Sequence, residues 1–341
     1  MEEKIREALK SYHLKVYNIH RARGAYLLET NNGLKHFKFF EGSIGRAQFE
    51  HTVKEHLLQH GYYNTDLFVK TSEGGIISLD SAGNSYIMKN WFRGEGCNLN
   101  DLLHVKRASV NLANLHLILT NVELTQEQCE FGNPWDLQET FEKRNRELKR
   151  VRSYIRKKKQ RNEFEISFLT YYDEFFQQGQ KAVEELRKTN YPSVFLQAVE
   201  DRKVCHGNYT YHNIIMLKQR SEDVSRFDGR IATTNFEKAH IGVQISDLYQ
   251  LIRKVMEKND WNTDYGISII KEYHMVKPIS KDEFKTLYLL LLFPEKFWKV
   301  TNYYFNSNKS WVSRKNIQKL QKVGEQNQKR NRFLLKLKSA F

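Results

Sequence analysis

The residues of this chain best suited to chemistry lie past its middle. His206-Gly-Asn-Tyr-Thr-Tyr-His-Asn213 sets one amide, Asn208, two residues after a histidine and a second, Asn213, five residues further on. Asn235-Phe-Glu237 follows 22 residues beyond Asn213. Such spacing suits phosphoryl transfer, in which a loop residue orients the attacking hydroxyl and oxygen ligands from the loop and a nearby triplet hold a metal against the phosphates. Each fragment alone is a weak signal, and their order along the chain carries the reading. His212 has no partner in the pattern and reads as incidental.

Such a loop must be held by the elements around it. Val16–His20, Ala25–Thr30 and Leu34–Phe40 are rich in strand formers, with Asn32-Gly33 as a hairpin signal between the last two. Ser43 to about His60 carries Phe49, Val53 and Leu57 near helical spacing and stops at Gly61. Ile76–Asp80 and Ser85–Phe92, joined by the turn Ser81-Ala-Gly-Asn84, complete a five-stranded lobe with one inserted helix over residues 1–92. From Leu99 the pattern changes to long helices. Residues 93–341 read as a larger helical lobe, interrupted at 204–237 by a β-like island that contains the motifs. Within that lobe Leu137, Phe141, Leu148, Val151 and Ile155 trace the apolar stripe of a helix with a charged outer face.

With 341 residues, 40% of them hydrophobic, 28% charged and only four prolines, the chain has the balance of a packed protein and excludes disordered or collagenous classes. Its net charge of +15 is concentrated. Residues 143–161 carry eleven Lys and Arg against one Glu, and 314–338 carry nine against one, so the other 297 residues sum to −3. Tyr154 is the sole aromatic from Lys143 to Arg161, which is not the interleaving of a nucleic-acid stacking platform, so nucleic acid is not the expected partner. Cys97, Cys129 and Cys205 form no CxxC pair and read as buried thiols of a reducing compartment. The N-terminus lacks the apolar stretch of a secretory signal, and the longest strongly apolar run, Leu287–Phe293, falls well short of the ~20 residues that span a bilayer. Neither a signal peptide nor a membrane span is expected.

Taken in order, the strand-rich lobe, the helical lobe, H-G-[D/N]-x4-N and [D/N]-F-[DE] resemble the aminoglycoside phosphotransferase and choline kinase superfamily. Within it the chain is most similar to the CotS family of bacterial spore coat proteins. Arg21-Ala-Arg-Gly-Ala-Tyr26, Gly33-Leu-Lys-His-Phe-Lys38, Phe92-Arg-Gly-Glu95, Phe141-Glu-Lys-Arg-Asn145 and Ile252-Arg-Lys-Val-Met-Glu257 carry the likeness over nearly the whole length. The resemblance implies an α+β, bilobal protein-kinase-like fold. It implies that Lys38 neutralises nucleotide phosphates with Glu50 as its partner, that Arg21 and Gly24 belong to the turn over the phosphates, and that Trp91 lies in the hinge beside the adenine. It further implies that His206 anchors the catalytic loop, that Asn213, Asn235 and Glu237 occupy metal positions, and that Asp247 is a structural buttress. From the residues alone, a strand lysine and a helix glutamate read equally well as a surface pair worth well under ~1 kcal/mol.

The same resemblance exposes a departure. Active members carry aspartate where this chain has Asn208 and Asn235. An amide cannot accept the proton of a substrate hydroxyl. Nor does a neutral oxygen replace the charged ones that hold most of a Mg²⁺ ion's coordination energy. The resulting expectation is a spore coat protein made in the mother-cell cytoplasm, catalytically silent or very weak, acting as a structural or binding component. Its expected partners are other coat proteins, acidic ones docking on the basic helix at 137–161. The competing expectation is an ATP-dependent small-molecule phosphotransferase, with ATP and Mg²⁺ as cofactors and Asn213 and Glu237 holding one metal ion.

Overall fold

A computed structural model describes residues 2–22, 24–132, 136–218, 229–307 and 314–340. The chain divides into two compact units, Met1–Pro134 with Ala198–Asp247, and Trp135–Gln197 with Leu248–Phe341.

The first unit opens with α1 (Glu2–Leu9), then β1 (Val16–Ala22), β2 (Ala25–Thr30), β3 (Gly33–Phe39), α2 (Ile44–Gln59), β4 (Ser78–Leu79) and β5 (Ser85–Asn90). The strands form one antiparallel sheet in the order β1-β2-β3-β5-β4. Its two tight hairpins close on glycines. Gly33 pairs with Thr30 at φ +77°, and Gly24, at φ +72°, lies between the paired Ala22 and Ala25. Arg23 lies outside the described residues. Ser43 caps α2 by accepting the Arg46 N–H. At the other end the Gly61 and Tyr62 N–H groups bond back to the carbonyls of Leu58 and Leu57, with Gly61 at φ +83°. Phe49, Val53 and Leu57 are fully buried, as their spacing requires. α1 adds Ile5 and Ala8 to a core with Tyr12, Leu28, Phe37 and Met88. β4 is shorter than the Ile76–Asp80 reading, because Ile76 and Ile77 pack beside Ala47, Phe68 and Ile87 instead of extending the ladder.

The unit continues with β6 (Gly94–Gly96), α3 (Leu102–Ile118) and α4 (Gln126–Gly132). After the excursion into the second unit come β7 (Val204–Cys205), β8 (Ile214–Leu217), β9 (Ile231–Thr233) and β10 (His240–Ile241). β6-β8-β9 and β10-β7 make two small sheets that hold the 206–213 loop and a 3-10 turn at Phe236–Lys238. Cys97 and Cys205 are buried and Cys129 is half-buried, all as free thiols.

The second unit is helical: α5 (Leu137–Lys157), α6 (Glu163–Arg187), α7 (Tyr191–Glu200) as far as Gln197, α8 (Ile245–Lys258) from Leu248, α9 (Thr263–Val276), α10 (Lys281–Leu292), α11 (Glu295–Phe305), α12 (Arg314–Glu325) and α13 (Asn327–Ala340). Its core joins Leu148 and Ile155 of α5, Phe164, Phe168, Tyr172 and Phe175 of α6, Phe297 of α11, and Ile317 and Leu320 of α12. Phe297 stacks on both Phe168 and Phe175, with ring centroids 5.3 and 4.5 Å away. The stripe expected on α5 is the buried one. No helix among the described residues is long and apolar enough to cross a membrane.

Charge divides with the units. The helical unit holds 33 Lys and Arg against 18 Asp and Glu, a net of +15, whereas the other holds 22 of each. On α5, Arg144 pairs with Glu295 and Arg152 with Asp173, and just past its end Lys158 pairs with Glu165. Lys149, Arg150, Arg156, Lys157 and Lys159 are exposed and make no ion pair among the described residues.

Candidate functional site

The 206–213 loop hangs on one buried carboxylate. Asp247 accepts the backbone N–H of His206 at 2.6 Å and of Gly207 at 2.9 Å, and its Oδ2 lies 3.3 Å from His116 Nε2. Burial alone would raise its pKa. The bond and the charge of His116 outweigh burial, so Asp247 titrates below its ordinary range and stays ionised. His206 Nδ1 accepts the Asn208 N–H at 3.1 Å, which leaves Nε2 protonated to donate to the Thr234 carbonyl at 3.0 Å. Burial depresses the pKa of this ring. Neutral and bonded through both nitrogens, it is arranged as an anchor. A Cβ at Gly207 would come within 1.9 Å of the Lys238 carbonyl oxygen, so this corner of the loop admits only glycine.

The three asparagines of the motif bond to one another. Asn213 Nδ2 donates to the Asn208 carbonyl at 2.8 Å, and Asn235 Nδ2 donates to Asn213 Oδ1 at 3.3 Å. Asn235 itself sits at φ +66°, with its N–H on Asp66 Oδ2 at 3.1 Å.

The expected pairing of Lys38 with Glu50 does not form. Lys38 pairs instead with Glu237, and Glu50 is taken by Lys54 at 2.5 Å and by Lys89 at 2.7 Å. Sheet register explains the exchange. His36 lies opposite Lys89 and Lys38 opposite Ile87, so both lysines project from the same face, and Lys89 on β5 is the one that reaches α2. Lys54 also meets Asp66 at 2.8 Å, while Lys89 lies 3.5 Å from Glu237. Three carboxylates and three ammonium groups therefore balance within one cluster, and Arg46 grips the Glu237 carbonyl beside it. Burial works to raise the pKa of Glu50, but Lys54 and Lys89 hold it down to about 2. Trp91 is covered by His36, with centroids 4.5 Å apart and planes 23° from parallel. Burial first, then the nearby charges of Lys89 and Lys38, lower the His36 pKa to about 4, so a neutral imidazole lies on the indole. Arg21 remains an exposed residue of β1, opposite Tyr26.

Sequence reasoning missed His36, Lys54 and Asp66, and the part of Lys89 in the ion cluster. Only Lys54 left a local signal, four residues after Glu50 on one helix; the others depend on sheet register and on a loop that returns beneath the sheet.

As arranged, the donor set does not fit Mg²⁺, which demands a near-octahedral oxygen shell anchored by carboxylates. Glu237 is neutralised by Lys38, and the Asn213 oxygen is already hydrogen-bonded to Asn235. Among the described residues no group of three or more His, Cys, Asp or Glu converges to hold a metal.

Residues 6–337 match the model of the family described as spore coat putative kinase YutH. The chain belongs to the spore coat YutH family. Spore coat protein S of Bacillus subtilis (strain 168) is 23% identical over 180 residues, 52% of this chain and 48% of that protein, so the match spans about half the length of this curated relative. Among solved structures, an aminoglycoside phosphotransferase from Alicyclobacillus acidocaldarius superposes with a TM-score of 0.84 at 17% identity, covering 97% of this chain and 94% of its own. A spectinomycin phosphotransferase complexed with ADP and its antibiotic gives 0.67 at 10% identity, covering 95% and 96%. At such identities the likeness is one of fold. YutH-family membership thus goes with the α+β protein-kinase-like architecture, a small antiparallel sheet lobe and a larger helical one.

Proposed function

We propose that this YutH-family chain is a spore coat component that keeps the kinase-like fold as a scaffold and does not transfer phosphate. The family and the curated relative support its place in the coat. The observation that carries the silent-site reading is self-occupation. Lys38 is spent on Glu237, the Asn213 oxygen on Asn235, and the face of Trp91 on His36. Lys38, Asn213 and Trp91 thus each have a partner from the chain, and Asn208 supplies no base.

Titration with Mg²⁺-ATP tests this reading. A ligand at a hundred times its Kd would add ~2.7 kcal/mol and raise the melting temperature of a chain this long by roughly 4 °C. The expected shift at millimolar Mg²⁺-ATP is under ~1 °C. A shift of the larger size abolished by EDTA, or phosphate transfer from ATP to a small alcohol or amine, would establish the phosphotransferase reading instead.

Within the coat the proposed partner is an acidic protein that docks on α5. In support, Lys149, Arg150, Arg156, Lys157 and Lys159 stand exposed on the unit that holds all of the net charge. Replacing Arg150, Arg156, Lys157 and Lys159 with glutamine leaves Lys158 on Glu165 and the apolar stripe untouched. The folded variant is expected to assemble into spores about tenfold more slowly, because such a face sets association rate and orientation, and the deficit should shrink as salt screens it. Normal timing and amount would remove the docking role.

A further inference from the structure

The motif Ile252-Arg-Lys-Val-Met-Glu257 takes no part in the phosphate-type site, yet it builds a pocket in the helical unit. Tyr249, Arg253 and Glu257 recur every four residues along α8 and face a cavity of about 410 Å³, a volume that includes its opening to solvent. Its apolar wall is aromatic: Phe175, Tyr249, Trp261, Phe293 and Phe297. Its charged wall holds Arg253, Lys296 and Arg330 against Glu257 and Glu295, one positive charge in excess.

The two arginines differ in how they are used. Arg330 is consumed by the fold, donating to Gln178, to Asn327 and to the carbonyls of Leu291 and Leu292 at the end of α10. Arg253, only 6% exposed, bonds through Nη1 to Glu257, while its buried Nε finds no acceptor and Nη2 makes no hydrogen bond among the described residues. Nε and Nη2 form the side-on edge of a guanidinium, whose two parallel N–H groups match the two oxygens of a carboxylate or phosphate. A buried donor left without an acceptor is costly, more so on a charged group.

We infer that this cavity binds a small organic anion, an oxyanion on an aromatic or apolar body, with the oxyanion on the Nε and Nη2 edge of Arg253 and the body against the aromatic wall. The inference does not depend on whether the phosphate-type site is silent.

Isothermal titration of the full chain with benzoate, phenyl phosphate and benzyl alcohol tests it. At least one anion should bind with a submillimolar Kd, at least tenfold tighter than the alcohol, and the stronger of the two identifies carboxylate or phosphate as the preferred head group. Arg253→Gln should weaken binding at least tenfold. Because that change also strips Glu257 of a partner, Val323→Phe provides a second route, filling the cavity from α12 while leaving the Arg253–Glu257 pair intact. With an unchanged circular dichroism spectrum, it should abolish binding. The inference is overturned if neither anion outperforms benzyl alcohol, if folded Val323→Phe binds like the parent, or if binding occurs only at tens of millimolar and ignores both substitutions.

Discussion

Lys89→Met is expected to lower the melting temperature by roughly 4–7 °C, the largest loss of any single change considered. Lys89 is 2% exposed and serves Glu50 and Glu237 at once, so its removal leaves one buried negative charge in excess. Breaking a buried ion pair by deleting one partner costs about 3–5 kcal/mol, whereas replacing both partners with apolar side chains is often neutral. The double change Lys89→Met with Glu50→Leu should therefore melt higher than Lys89→Met alone. Acid provides an independent check. Glu50 in the folded chain is held near 2 by Lys54 and Lys89, against about 4.3 unfolded, so its contribution is complete above about pH 4.5 and fades as pH falls toward 2. The gap in melting temperature between the parent and Lys89→Met should narrow over that window. A gap under ~1 °C at pH 7, or one unchanged by acid, would show that the cluster is solvated and contributes little.

Asn208→Asp with Asn235→Asp is expected to raise affinity for Mg²⁺-ATP at least tenfold. Aspartate at 235 cannot donate to the Asn213 oxygen, which frees a ligand, and the second carboxylate restores charge beside Glu237. Both changes are nearly isosteric, and the backbone N–H that 235 gives to Asp66 survives the substitution. Adding His36→Ala uncovers Trp91 and should tighten binding again. If the double and triple variants fold and neither gains affinity in calorimetry, the Lys38–Glu237 pair is sufficient to close the site and the carboxylates are not what was missing.

What could be read from the sequence follows how far each determinant reaches along the chain. α2 was legible at both ends because Ser43 and Gly61 cap it within a turn of its own residues, and the β2–β3 hairpin because Gly33 marks it. The stripe on α5 was legible for the same reason. His206 and Asp247 were marked only by resemblance, since the bonds they make reach across 28 and 41 residues. The partner of Glu50 was not legible, since β3 and β5 both offer a lysine to α2 and only a register set fifty residues apart selects Lys89. Nor was the pairing of Arg253 with the aromatic cavity, which brings together α6, α8, α10, α11, α12 and α13. α1 contributes Ile5 and Ala8 to a core whose other members lie beyond its own sequence, so its place beneath the sheet had no local mark.

The left-handed backbone at Asn235 bears on how this site can change over generations. A residue at φ +66° with a side chain must be one that tolerates the conformation, and asparagine and aspartate are the side-chain-bearing residues that do so most readily. The codons of those two differ by a single base. The fold thus confines this position to a narrow set of residues in which the charged member is one point mutation from the neutral one. An aspartate at 235 would meet the same backbone at little conformational cost. At this position the backbone keeps the neutral and the charged residue interchangeable.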